Sequence, residues 1–224
     1  MLDFSSVLAS AVHDMKNSLC LLLQSIETLS TEVADMDDSV SEQLASIHYE
    51  ASRLNTSLMH ILSLYRAGRE QLPINIDEYY MDDLIDEVVA TNQMYIDRKK
   101  MALNITLQDD LSWYLDNELV CLLLNDILIN AIRYSKKNIA ISVYTDNNQL
   151  CIQVEDDGNG YPQSMLDANA SEMQDFDLST GRTGLGLYFA RMIAMSHERN
   201  GIQGSIEMEN GGYYGGSVFR LKLP

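Results

Sequence analysis

Leu150-Cys151-Ile152-Gln153-Val154-Glu155-Asp156-Asp157-Gly158-Asn159-Gly160 runs from an apolar segment into an acidic turn with two closely spaced glycines. Leu150 to Val154 predict a strand, and the glycines mark a place where main chain comes very close to something else. A second such turn, Thr183-Gly184-Leu185-Gly186-Leu187, opens a helical pattern that continues through Tyr188, Ile193 and Met195. A glycine-rich turn at a helix N-terminus aims free N–H groups at an anion such as phosphate. One glycine pair is common in turns and says little. Two, with an acid before one and a helix after the other, indicate a nucleotide gripped at both ends.

Outward from these turns the pattern is mixed. Strands are expected near Ile74–Tyr80, Leu103–Leu107 and Trp113–Leu115, with helices over Met81–Lys99 and Asn117–Tyr134. A hairpin of Ile139–Thr145 and Leu150–Glu155 turns through Asp146-Asn147-Asn148-Gln149. Helix Leu185–Asn200 and strands Ser205–Glu209 and Ser217–Leu223 complete the set. Strands on one side and three helices on the other give an α/β sandwich. Tyr161–Gly181 has little periodicity and is too long for an ordinary connector, so it reads as a mobile lid over the nucleotide.

The first part has another period. Leu8, Val12, Met15, Leu19, Leu22, Ile26 and Leu29 step by four and three, as do Leu44, Ile47, Ala51, Leu54, Leu58, Ile61 and Tyr65. This is the seam of coiled-coil-like packing, carried by two helices joined through the polar stretch Ser30–Ser41. Two helices alone make a thin core. A second copy completing a four-helix bundle buries both stripes, which predicts a homodimer. The plainer alternative is an intramolecular hairpin packed on the second half. A break around Gly68–Pro73 marks a linker. The division is therefore 1–70, a helical hairpin, and 71–224, the nucleotide domain.

Bulk properties narrow the function. The 224 residues carry a formal net charge of −18, which disfavours nucleic acid and anionic membrane surfaces. No apolar run is long enough to span a bilayer, and the first residues lack the pattern of a secretion signal. Cys20, Cys121 and Cys151 sit in apolar contexts without metal-ligand spacing, as expected of reduced core residues in a cytoplasmic protein. His48, His60 and His197 have no partners at metal spacing and are expected to be structural or exposed. The methionines are scattered and read as core filling.

Four motifs, in order, resemble those of the sensor histidine kinase family. His13-Asp14-Met15-Lys16-Asn17 is similar to its phosphoacceptor box, and Asp126-Ile127-Leu128-Ile129-Asn130-Ala131-Ile132-Arg133-Tyr134-Ser135 to its asparagine box. The two glycine turns resemble its G1 and G2 boxes, and Gly216-Ser217-Val218-Phe219 to Pro224 its closing strand. The resemblance covers about Ser5 to Pro224. It implies an α+β protein: an N-terminal helical hairpin forming a dimeric four-helix bundle, followed by a Bergerat (GHKL ATPase) domain.

The resemblance also implies roles. A surface histidine on a helix is usually a solvated side chain, but with the other boxes His13 becomes the nucleophile. Its unperturbed pKa of about 6.5 leaves much of it neutral near neutrality. Asp14 would bond one ring nitrogen and accept the proton, while Asn17 would position water for hydrolysis of a phosphorylated partner. Asn130 would ligate Mg²⁺, Arg133 would neutralise phosphate charge, and Tyr134 would pack on adenine. Asp156 would accept from the adenine amino group, with Gly158 and Gly160 shaping that turn. Arg182, Thr183, Gly184, Leu185, Gly186 and Leu187 would approach the triphosphate. Three departures stand out. Ser18 replaces the proline usual after Asn17, Asp126 stands where the family commonly has asparagine, which suggests a polarising base, and Arg182 stands where the family usually has a further glycine, its charge offering a phosphate contact instead. Asp175-Phe176-Asp177 is only a faint echo of the family's phenylalanine box.

These expectations amount to an ATP- and Mg²⁺-dependent histidine kinase. It would autophosphorylate on His13 and pass the phosphoryl group to a response regulator receiver domain, with a phosphatase activity possible through Asn17. Because no sensor region precedes His13, input is expected from a separate sensor protein, without nucleic acid or membrane insertion. The alternatives are a histidine phosphotransfer adaptor without kinase activity, and a serine kinase or regulatory ATPase of the same fold.

Overall fold

The computed structural model describes residues 14–15, 17–26, 28–29, 40, 43–44, 46–48, 50–52, 54–55, 58, 72, 74–170 and 184–224. The chain divides into two compact units, Met1–Glu70 and Gln71–Pro224.

Every described residue of the first unit is helical, Val40 included. Hydroxyls are absorbed by the helix itself: Ser18 donates to the Asp14 carbonyl at 3.0 Å and Ser25 to that of Leu21 at 2.8 Å. The residue in the family's proline position thus bonds back within its own helix. Among the seam positions Ile26 and Ala51 are buried. Met15, Leu22, Leu29, Ile47 and Leu54 are 46–57% exposed. Leu8, Val12, Ile61 and Tyr65 lie outside the described residues, as do His60 and most of the Ser30–Ser41 turn.

The second unit contains β1 (Asp77–Tyr80), α1 (Met81–Arg98), β2 (Ala102–Leu107), β3 (Ser112–Leu115) and α2 (Asn117–Tyr134). It continues through β4 (Asn138–Asp146), β5 (Gln149–Asp156), α3 (Gln163–Ala170), α4 (Gly184–Ser196), β6 (Glu198–Arg199), β7 (Ile202–Gln203), β8 (Ser205–Asn210) and β9 (Ser217–Leu223). The main sheet has the order β2-β4-β5-β9-β8, and only the β2–β4 pairing is parallel. Strand alternation sorts its faces. Ile141, Val154 and Phe219 align across three strands and are buried with Leu84, Leu128 and Ile193 of the helices. The opposite face is polar, with Arg220 bonded to Glu209 at 2.6 Å.

Two expectations need correction. The stretch from Tyr161 is not wholly irregular: Gln163–Ala170 form α3, and the carbonyl of Pro162 just before it accepts from the Met165 and Leu166 N–H groups. The remainder of that stretch, with Phe176 and the expected lid, lies outside the described residues. The last helix also stops at Ser196, not Asn200. Asn200 (φ 54) and Gly201 (φ 79) form a tight turn joining β6 to β7, the Asn-Gly signature of a two-residue hairpin. A similar positive-φ pair, Asn147 and Asn148, closes the expected β4–β5 hairpin. No helix among the described residues is long and apolar enough to cross a membrane.

Candidate functional site

The site is built at the end of β5. Asp156 is 4% exposed, and its Oδ1 accepts from the Gly158 N–H at 2.7 Å and the Ser217 N–H at 3.2 Å. Its Oδ2 accepts from the Ser217 hydroxyl. A carboxylate has about four acceptor positions, so Oδ2 keeps room for one further donor, the requirement for an exocyclic amine. Gly158 is needed here because a Cβ would stand 2.6 Å from the Tyr134 carbonyl oxygen. Gly160 adopts φ +77, a conformation side chains disfavour.

Asp157 does different work. Its Oδ1 accepts from the Lys136 and Lys137 N–H groups at 2.7 and 3.0 Å. Its Oδ2 accepts from the N–H and side-chain amide of Asn138 at 3.0 and 2.8 Å. Burial alone would raise this carboxyl, but the donors of Lys137, Asn138 and Lys136 outweigh it and leave the pKa lowered. The glycine turn is thereby tied to the chain leaving α2. Lys99 completes the anchorage, its Nζ donating to the Ile132 and Arg133 carbonyls at 2.7 and 3.1 Å. Burial first, then the Arg133 charge, lowers the Lys99 pKa.

At its other end α2 is capped by Asp116, whose Oδ1 accepts from the Leu119 N–H at 3.0 Å. The Asp116 N–H donates to His197 Nε2 at 3.0 Å, and His197 Nδ1 lies 2.8 Å from the Ile193 carbonyl. That pattern assigns the proton to Nδ1, and burial lowers the His197 pKa. His197 is structural, at 2% exposure.

Along α2, Asn130, Arg133 and Tyr134 are exposed, so the helix presents an amide and a guanidinium outward. The Arg133 guanidinium lies over the Tyr134 ring, 5.4 Å from its centroid. Asp126 is half-buried, and desolvation pushes its carboxyl up to about 6. Neighbouring Asn125 cannot substitute for it, being engaged by the Asn92 amide at 2.6 Å. The described residues of the second glycine stretch, Gly184 to Leu187, are not a separate turn but the first residues of α4, which packs beside α2. Leu185 lies within it, Gly186 is half-buried, and Leu187 points into the core at 8% exposure.

Asp14 and Asn17 are exposed on the helix of the first unit. His13, Lys16, Arg182 and Thr183 lie outside the described residues. Sequence reasoning missed Asp157 as a brace and Ser217 as the hydroxyl on Asp156. Ser217 sits 61 positions from its carboxylate, which local spacing does not reveal. Among the described residues no three His, Cys, Asp or Glu side chains cluster as a metal site. A divalent cation here would depend on phosphate oxygens and the Asn130 amide, a donor set that suits Mg²⁺.

Residues 115–224 match the family described as histidine kinase-, DNA gyrase B-, and HSP90-like ATPase. Over 223 residues the chain is 24% identical to the sensor protein SrrB of Staphylococcus aureus. The second unit thus carries an ATPase region of this type, and the chain as a whole is similar to sensor histidine kinases. The SrrB match covers 97% of this chain and 37% of that protein, so the chain spans little more than a third of the curated relatives it matches. Among solved structures, Acinetobacter baumannii histidine kinase AdeS aligns with TM-score 0.60 and 20% identity, covering 92% of this chain and 95% of AdeS. The catalytic domain of histidine kinase ThkA aligns with TM-score 0.56 and 24% identity over 67% of this chain and 95% of that domain. Full-length ShkA, solved in complex with AMPPNP, aligns with TM-score 0.63 and 15% identity over 98% of this chain and 45% of ShkA. These likenesses establish the α+β ATPase fold of the second unit.

Proposed function

We propose that the chain is an ATP-dependent protein histidine kinase. The observation that carries this reading is the buried Asp156 carboxylate at the glycine turn, which accepts three hydrogen bonds and has acceptor capacity on Oδ2 for one more donor. Adenine donates its amino group to Oδ2. The phosphates lie toward Arg133 on α2 and Gly184 to Leu187 at the start of α4, with Arg182 and Thr183 as further phosphate contacts. A bound Mg²⁺ supplies charge neutralisation on the phosphate oxygens, with Asn130 as its protein ligand.

The neutral His13 imidazole attacks the γ-phosphorus, the bond to the β–γ bridging oxygen breaks, and ADP leaves. Asp14, the next residue in the sequence, takes the ring proton. The phosphoryl group then passes from the imidazole to an aspartate of a response regulator receiver domain, and Asn17 positions water for the reverse, dephosphorylating role. Asp126 polarises the attacking group; its raised pKa of about 6 keeps it responsive near neutrality. The exposed seam of the first unit pairs with a second copy in a homodimeric four-helix bundle, because five large apolar side chains in two regular stripes need cover.

The test is incubation with γ-labelled ATP and Mg²⁺, followed by acid treatment of wild type and His13→Gln. Acid-labile label present only in wild type is expected. Acid-stable label on a hydroxyl, or no label despite bound nucleotide, sinks the reading; the latter outcome favours the phosphotransfer adaptor.

A further inference from the structure

The turn after β5 is held at both of its ends by one pair of facing residues, Asn210 and Ser217 of the β8–β9 hairpin. Ser217 holds the entrance, its N–H and hydroxyl both donating to the Asp156 carboxylate. Asn210 holds the exit. Its Oδ1 accepts the Tyr161 N–H at 2.6 Å, and its Nδ2 donates to the Tyr161 carbonyl at 2.9 Å. The Tyr161 N–H can only donate and its carbonyl only accept, which fixes the orientation of the amide. The side chain thus pairs with one residue's main chain as a neighbouring strand would. The contact is close: a Cβ on Gly160 would stand 2.6 Å from Asn210 Oδ1, so that glycine serves both its φ of +77 and the approach of the amide. The hairpin end is itself tied. Gly211 N–H donates to the Gly216 carbonyl at 2.8 Å, and Gly216 N–H to the Asp156 carbonyl at 3.1 Å. From the next position of β5, Glu155 Oε2 accepts the Tyr213 N–H at 3.1 Å.

We infer that Asn210 is a positioning residue of the nucleotide site, fixing the exit of the glycine turn so that its shape is set before the base arrives. The inference rests on the reading of this turn as the adenine site. Between Asp156 and Tyr161 stand two glycines, whose backbone has more conformations to lose than that of any other residue. Ser217 secures Asp156, and the N–H groups of residues 136–138 secure Asp157. Gly160 and Tyr161 lie beyond both ties, and the Asn210 amide is what orders them. Asn210 acts through the Tyr161 main chain, not through the base. Order that binding would otherwise have to impose is already present in the free protein. Such an effect appears in affinity and not in the rate of the chemical step. It also acts at the base end of the nucleotide, whatever number of phosphates follows.

The experiment measures dissociation constants of ADP and of the non-hydrolysable analogue AMPPNP, with Mg²⁺, on the full chain, for wild type, Asn210→Ala and Asn210→Asp. Asn210→Ala loses two neutral hydrogen bonds at an exposed residue, so both ligands should bind about fivefold more weakly. Asn210→Asp keeps the acceptor for the Tyr161 N–H but sets an oxygen against the Tyr161 carbonyl, and should bind no better than Asn210→Ala. KM for ATP in the labelling of His13 should rise by the same factor, with kcat within about twofold of wild type. The urea midpoint of the transition belonging to 71–224 should move little. Unchanged affinities, a loss confined to AMPPNP, or an Asn210→Asp variant that binds like wild type overturns the positioning role while leaving the adenine reading intact. A lowered urea midpoint with kcat falling alongside affinity does the same, since it marks a merely structural residue. A wild type that binds neither ligand overturns both.

Discussion

The two units solve the burial problem differently. In 71–224 the apolar faces of sheet and helices close on each other: Ile139, Leu150, Leu221 and Ile193 have no exposed surface. In 1–70 the seam is half open, with Leu22 46% and Leu54 57% exposed beside a fully covered Ala51. A sheet with helices on one face completes a core within a single chain, whereas two helices present stripes that need more partners. The second unit is thus built to be self-sufficient, while the described helical residues of the first leave apolar side chains to be covered by something else.

That contrast can be broken most severely inside the closed unit. Phe219→Ala should cost about 3–5 kcal/mol, read as a lowered urea midpoint of the transition belonging to 71–224. An excised 71–224 fragment should show the same loss; failure of the fragment to unfold cooperatively would remove the claim of self-sufficiency.

Next in size is the open unit. Leu54→Glu should weaken the proposed dimer about a hundredfold in sedimentation equilibrium, because a charge is placed where an apolar stripe is covered. The urea transition of 71–224 should stay where it was. A dimer indifferent to Leu54→Glu would assign the stripe to some other cover.

Asp126 tests whether the closed unit carries a functional misfit. Its folded pKa of about 6 lies above the unfolded value, so the native state favours the protonated form. Its stability contribution is fully present below about pH 4 and is lost as pH rises through about 6. Asp126→Asn should therefore stabilise the protein by about 1–3 kcal/mol at pH 7 and leave little change at pH 4. The same substitution should flatten the rise of phosphorylation rate between pH 5 and about 7. Stabilisation with an unaltered rate profile would make Asp126 structural only.

The smallest effect concerns Asp157. Its pKa is lowered in the fold, so its stabilisation is present above the unfolded pKa of about 4 and fades as pH falls through the folded value. Asp157→Asn should cost about 1 kcal/mol at pH 7, with the difference from wild type narrowing in thermal melts at pH 3.

The sequence displayed what is local. The first glycine turn, the α2 boundaries at Asn117 and Tyr134 and the strand alternation from Ile139 to Val154 depend on spacing within one segment, and they appear where spacing puts them. What stayed hidden is non-local. Asp157 reads as a solvated acid in a turn until its partners 19–21 positions away are brought to it. Tyr161 reads as an ordinary loop aromatic until Asn210, 49 positions on, pins its backbone. The Asn200-Gly201 turn was legible in principle, yet the helical stripe of α4 continued persuasively across it.

Helices commonly fray, since their first N–H groups and last carbonyls lack partners. Around α2 both ends are fastened: Asp116 and His197 at the start, Lys99 and Asp157 at the finish. Its terminal turns are therefore denied the cheap opening that would let Asn130, Arg133 and Tyr134 drift apart, and the helix behaves as a pinned beam on which those side chains keep a constant pitch.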